Sequence, residues 1–103
     1  MRVPKLSEDE IMDHLQRLPG WTRQGEAITK TYTFAGFDRA MDFVNQVAET
    51  AESVNHHPDI DIRYHKVTLS LTTHDSGGLT RNDVSLAAAC DDFADAVGGP
   101  ARA

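Results

Sequence analysis

Four polar side chains fall where the chain's elements run out: Glu52, the adjacent pair His56 and His57, and His74. Core filling does not account for such a placement, and loops held by a rigid scaffold are where binding and catalytic groups concentrate. Imidazole changes protonation near neutral pH, so three of them can both give and take a proton within one reaction. The same set, with its carboxylate, has the donor types of a zinc site with one position left for water. Neighbouring histidines generally point in different directions, however, and Pro58 stiffens the loop that carries them. The spacing therefore favours acid–base chemistry over metal binding.

The elements that must hold these groups are legible in the apolar pattern. Leu6-Ser7-Glu8-Asp9-Glu10-Ile11 has the form of a capped helix start, with Ser7 as cap, Glu10 closing the box and Leu6 stapling to Ile11. Ile11, Leu15 and Leu18 supply its stripe, and Pro19-Gly20 stops it. Trp21 to Arg23 and Ala27 to Phe34 then read as strands around a turn at Gln24-Gly25, with Ile28, Tyr32 and Phe34 on one face. From Phe37 the period becomes helical, with Phe37, Ala40, Met41, Val44, Val47, Ala48 and Ala51 in the stripe. Asn55 to Pro58 breaks this helix, because proline disfavours helical backbone in the residue before it.

Two alternating runs follow, Ile60-Ile62-Tyr64 and Val67-Leu69-Leu71, joined by a tight turn at His65-Lys66. Asp75 to Gly78 forms a loop. Thr80-Arg81-Asn82-Asp83 has capping-box spacing ahead of a third helix that buries Leu86, Ala87, Cys90, Ala94 and Val97, and Gly98-Gly99-Pro100 ends it. The expected fold is α+β, a four-stranded antiparallel sheet with three helices packed on one face, in a single domain over residues 1–103.

Bulk properties narrow the function further. A net charge of −6 leaves no broad cationic surface for phosphate backbones, so no nucleic-acid partner is expected. No apolar run approaches the roughly 20 residues that cross a bilayer, so no membrane partner is expected either. A lone Cys90 and a start without a secretory apolar run suggest a reducing cytoplasm.

The site residues also carry a resemblance. Glu52 is followed after three residues by His56-His57-Pro58, after five more by Tyr64, after nine more by His74 and after eight more by Asp83. This pattern resembles the signature of the pterin-4a-carbinolamine dehydratase family, whose members are also described as the dimerisation cofactor of a homeodomain transcription factor. The likeness extends from Trp21 to about Val97. Asn82 departs from it, since relatives often carry arginine directly before the aspartate, and here Arg81 lies one step earlier.

The resemblance implies the fold already read, a homodimer or homotetramer, and dehydration of 4a-hydroxytetrahydrobiopterin to quinonoid dihydropterin in tetrahydrobiopterin recycling. By the same likeness His56, His57 and His74 are catalytic, while Glu52, Asp83, Pro58 and Tyr64 orient those rings or hold the substrate. No metal and no organic cofactor is implied, because the leaving hydroxyl needs only a proton. The competing function is a non-catalytic binding or assembly partner built on the same fold.

Plainer roles exist for several of these residues. Asp83 fits a helix cap as well as a site residue. Tyr64, in phase with Ile60 and Ile62, reads as a core or cleft-wall residue, and Trp21 as core. Gly77-Gly78 reads as a turn, and Cys90 as an inert packing group.

Overall fold

A computed structural model describes residues 3–97 of the chain. Its elements are α1 (Glu8–Gln16), β1 (Thr22–Gln24), β2 (Ala27–Thr33), α2 (Phe37–Val54), β3 (Asp59–Arg63), β4 (Lys66–Leu71), a 3-10 turn at His74–Ser76, and α3 (Arg81–Ala96). The strands form one antiparallel sheet in the order β1-β2-β4-β3. This is the expected α+β fold. The expected stop at Gly98-Gly99-Pro100 lies outside the described residues.

Register explains why the helices share one side. Ile28 stands opposite Leu71, and Tyr32 opposite Val67, with Lys30 opposite Leu69 between them. Ile28, Tyr32, Val67, Leu69 and Leu71 are buried, and they form one core with Ile11 of α1, Phe43 and Val47 of α2, and Leu86, Ala87 and Cys90 of α3. The other face carries Thr29, Thr31, Thr68 and Ser70, with the Thr31 and Thr68 hydroxyls 2.8 Å apart. Alternation thus sends the large apolar residues of the two central strands toward the helices.

The helix ends are chemically specified. Ser7 and Glu10 close the capping box of α1, and Thr80 and Asp83 close that of α3. Helix α2 ends on Asn55 in left-handed backbone (φ 52°), a conformation asparagine tolerates better than most residues.

Four sequence readings need correction. The buried stripe of α2 is Ala40, Phe43, Val47 and Ala51, while Phe37 and Ala48 are exposed. Phe43 is drawn inward by ring contacts, its centroid lying 4.7 Å from Tyr32 and 5.0 Å from Phe34. Full burial of such a ring contributes roughly 1.5–3 kcal/mol. The first hairpin turns at Gly25-Glu26, because Gln24 pairs with Ala27 and Gly25 takes φ 61°. The second turns at Tyr64-His65, because Arg63 pairs with Lys66. Tyr64 consequently leaves the strand in left-handed backbone (φ 53°) and is 68% exposed, not in the core.

Candidate active site

Antiparallel pairing brings the histidine segments together. Strand β3 begins immediately after His57-Pro58, and its first residue, Asp59, pairs with Ser70 near the end of β4. Two residues past β4, Thr73 pairs with Gly78 and closes the loop that carries His74. The segment leaving α2 and the segment leaving β4 therefore lie side by side. Between them is an open hollow of about 220 Å³ lined by Asn55, His56, His57, Thr72, Thr73, His74 and Asp75.

The left-handed Asn55 sets the direction of the first segment. The His56 amide donates to the Ala51 carbonyl (3.1 Å) and the Asn55 amide to the Glu52 carbonyl (3.3 Å). These bonds satisfy carbonyls that the helix end would otherwise leave open, and they swing His56 back across the start of α3.

There the His56 Nε2 lies 2.6 Å from Asp83 Oδ1. Asp83 is fully buried, a costly place for a carboxylate unless it is well bonded. Its Oδ2 accepts from the Thr80 amide (2.9 Å) and from the Thr73 hydroxyl (2.8 Å). With both donors on Oδ2, Oδ1 is left to His56 Nε2 and can accept the ring proton when His56 carries it there. Nδ1 of His56 has no partner among the described residues and, unlike that of His65, is not sealed from solvent. A neutral His56 in this tautomer presents an accepting Nδ1. The same Asp83 carboxylate thus closes the capping box of α3 and contacts the His56 ring.

His57 is held differently. Its Nε2 is 2.6 Å from Glu52 Oε1, with the two side chains 55% and 79% exposed. His74 is exposed, and its ring has no hydrogen-bond partner among the described residues, which leaves it free to meet a ligand. Pro58 and Tyr64 do not line the hollow. Pro58 shapes the loop and Tyr64 points out from the turn of the second hairpin. Among the described residues no three His, Cys, Asp or Glu side chains gather at metal-binding distance, and no helix is long and apolar enough to cross a membrane.

A second hollow, of about 150 Å³, lies between α2 and α3 and is lined by Thr50, Val54, His56, Asn82, Ser85, Leu86 and Ala89. His56 stands in the wall of both.

Thr73 is the site residue missed from sequence. Its signal was present: positions 67, 69, 71 and 73 are all buried, so a threonine occupies the core-facing phase of the strand pattern. A hydroxyl placed there requires a partner inside.

Comparison with known proteins follows the same outline. The family model described as "Pterin 4 alpha carbinolamine dehydratase" matches residues 4–93. A protein of Thermomicrobium roseum named "Putative pterin-4-alpha-carbinolamine dehydratase" is 53% identical over 85 residues, covering 82% of this chain and 91% of its own. The crystal structure of a transcriptional coactivator/pterin dehydratase from Brucella melitensis superposes with a TM-score of 0.85 at 35% identity, covering 87% of this chain and 98% of the other. A pterin dehydratase-like RuBisCO assembly factor of the alpha-carboxysome shares the fold, with a TM-score of 0.62 at 22% identity over 80% of this chain and 93% of its own.

Proposed function

Because this chain belongs to the pterin 4 alpha carbinolamine dehydratase family, we propose that it converts 4a-hydroxytetrahydrobiopterin to quinonoid dihydropterin and water by histidine acid–base catalysis, within tetrahydrobiopterin recycling. The observation that carries this reading is the hollow in which His56, His57 and His74 meet, with His56 backed by a buried carboxylate.

The elimination needs two proton transfers. The C4a–O bond breaks as the hydroxyl takes a proton and leaves as water; the N5–H proton departs, and its bonding pair forms the N5–C4a double bond. His56, whose Nε2 is tied to Asp83, suits acceptance of the N5 proton at Nδ1. His74, free of protein partners, suits protonation of the hydroxyl. His57, steadied by Glu52, suits binding of the polar pyrimidine ring or assistance in proton transfer. Positioned general acid–base groups contribute about 10²- to 10⁴-fold each.

The Brucella protein's name also points to a partner-binding role, and such a role is compatible with catalysis. A binding module alone gives no reason to gather three histidines at one hollow.

The test is the decay of chemically prepared 4a-hydroxytetrahydropterin with and without the protein. Acceleration by the wild type is expected, and His74→Ala should remove most of it while the oligomeric state stays as in wild type. Unchanged turnover in that variant removes His74 from the mechanism. No acceleration by the wild type removes the enzyme reading.

A further inference from the structure

Three buried polar side chains, Thr73 in the wall of the hollow with Thr80 and Asp83 behind it, are bonded to one another. From this cluster we infer that Thr73 is a positioning residue for the dehydration proposed above, fixing the tautomer of His56 through Asp83 and holding His74 at a set distance from it through the backbone.

The direction of each bond follows from counting protons. A threonine hydroxyl has one proton to give. Thr73 spends its own on Asp83 Oδ2 (2.8 Å). In the 2.8 Å contact between the Thr73 and Thr80 hydroxyls, Thr80 is therefore the donor. Thr80 in turn accepts from the Asn82 amide at 3.2 Å. The chain runs one way, from Asn82 through Thr80 and Thr73 to the carboxylate, and each hydroxyl in it both accepts and donates.

This polarity acts at the far end of the carboxylate. Oδ2 receives the Thr73 hydroxyl and the Thr80 amide, so a proton on Oδ2 would meet two donors. With both donors on Oδ2, Oδ1 has one bonding role left, to accept from His56 Nε2. The accepting nitrogen of the ring is then Nδ1. Without the Thr73 hydroxyl the carboxylate has one donor fewer, and a proton passing from Nε2 to Oδ1, with another taken up at Nδ1, gives the opposite tautomer, in which Oδ1–H donates to Nε2.

The backbone of the same residue governs His74. The Thr73 amide donates to the Gly78 carbonyl (3.1 Å), and its carbonyl accepts from the Ser76 amide (3.1 Å) and the Gly78 amide (3.3 Å). His74 is the next residue, the first of the 3-10 turn. One threonine thus anchors the loop of one histidine by its main chain and orients the other by its side chain. The tight turn includes Gly77 at φ 75°, where a side chain would be strained.

The experiment compares wild type, Thr73→Val and Thr73→Ser as full-length protein, using 15N histidine NMR for tautomers and the 4a-hydroxytetrahydropterin assay for rates, with His56→Gln assigning the His56 signals. Wild type should show His56 protonated at Nε2 alone when neutral. Thr73→Val should show a mixture of tautomers and a kcat lower by about tenfold or more, equal to about 1.4 kcal/mol in the barrier, with KM within about threefold. Thr73→Ser should restore both. An Nδ1-protonated His56 in wild type overturns the inference, and this reading needs no variant to fold. So does a kcat loss in Thr73→Val with the tautomer unchanged, or a serine variant that behaves like valine. If the wild type lacks dehydratase activity, the enzyme reading fails while the NMR arm still decides the tautomer assignment.

Discussion

Helix α3 carries two carboxylates that each gather several donors, eight residues and therefore about 12 Å apart along its axis. Asp83 spreads its bonds over both oxygens: Thr80 and Thr73 on Oδ2, His56 on Oδ1. Asp91 places all of its bonds on one oxygen, which accepts from Trp21 Nε1 (3.2 Å), Lys30 Nζ (2.9 Å) and the Tyr32 hydroxyl. Lys30 sits in the inward phase of β2, between Ile28 and Tyr32, and its ammonium also donates to the Pro19 carbonyl (2.9 Å). The Asp91 cluster ties α3 to β2 and to the segment before β1, and none of its members borders the histidine hollow. What separates the carboxylate proposed to serve the reaction from the structural one is the donor that its neighbours leave over. At Asp83 that donor is an imidazole with its other nitrogen open to solvent; at Asp91 every partner is already part of the packing.

Exchanging the two aspartates for asparagine, one at a time, is the sharpest way to break this contrast. In Asp83→Asn the amide oxygen can keep the Thr73 and Thr80 bonds only by turning the NH2 toward His56 Nε2, which forces the ring into the opposite tautomer. Dehydration should fall on the order of 10³-fold. Asp91→Asn should leave turnover within about twofold of wild type and cost about 2 kcal/mol of stability, because the Lys30 ammonium loses its charged partner and the remaining bonds weaken. Pterin-carbinolamine decay and urea unfolding of the two proteins separate the outcomes. Equal losses of activity would mean that α3 acts as one unit, and the distinction between its two ends would be lost.

A third carboxylate sharpens the contrast at lower amplitude. Glu52 bonds His57 at the same 2.6 Å that separates Asp83 from His56, yet both partners of the Glu52 pair are exposed. Water can replace the carboxylate there, and exposed pairs are worth little. Glu52→Ala should therefore slow dehydration only about twofold to tenfold and leave the urea midpoint unchanged. A loss as large as that of Asp83→Asn would show that burial is not what gives the Asp83 bond its effect.

The unequal legibility of these clusters has a physical origin. The capping boxes of α1 and α3, the alternation of β4 and the helical period of α2 are local patterns, so the elements could be read one after another. The histidine segments were legible for the same reason: each sits at an element's end, where its role is not masked by packing. Phe43, Asp91 and the partners of Thr73 were not. Phe43 is placed by Tyr32 of β2 and Phe34 just after it, Thr73 by a helix that starts eight residues later, and Asp91 by three residues from 59 to 70 positions upstream. Such partners are chosen by tertiary contact, and a window that slides along the chain does not contain them. Tyr64 failed in the opposite sense. Its alternation with Ile60 and Ile62 does not place it inside, because Ile62 is itself 40% exposed on the edge strand β3 and the two-residue turn then reverses the chain.

The smallest expected effect lies beside Asp91 and appears only in alkali. Cys90 is fully buried, and its thiol is pushed up from 9.0 to about 12, first by removal from water and then by the neighbouring Asp91 charge. Burial, and then the bond to Asp91, push the Tyr32 hydroxyl upward as well. In both groups the neutral, protonated form is the one the fold favours. The unfolded chain releases the thiol proton near pH 9 while the native chain retains it to about pH 12. Stability is therefore fully present below pH 9 and falls through that interval, by at most about 1.4 kcal/mol per pH unit for each such group. Cys90→Ala deletes one of the two contributions and should flatten the decline between pH 9 and pH 11 without changing its sign, as read from urea midpoints at each pH. Asp91→Asn removes the lesser cause for Cys90 and for Tyr32 alike, leaves burial in place, and should flatten the decline only in part. If Cys90→Ala followed the wild-type curve throughout, the alkaline loss would belong to Tyr32 and its bond to Asp91, and the packing end of α3 would be held chiefly by that one hydroxyl.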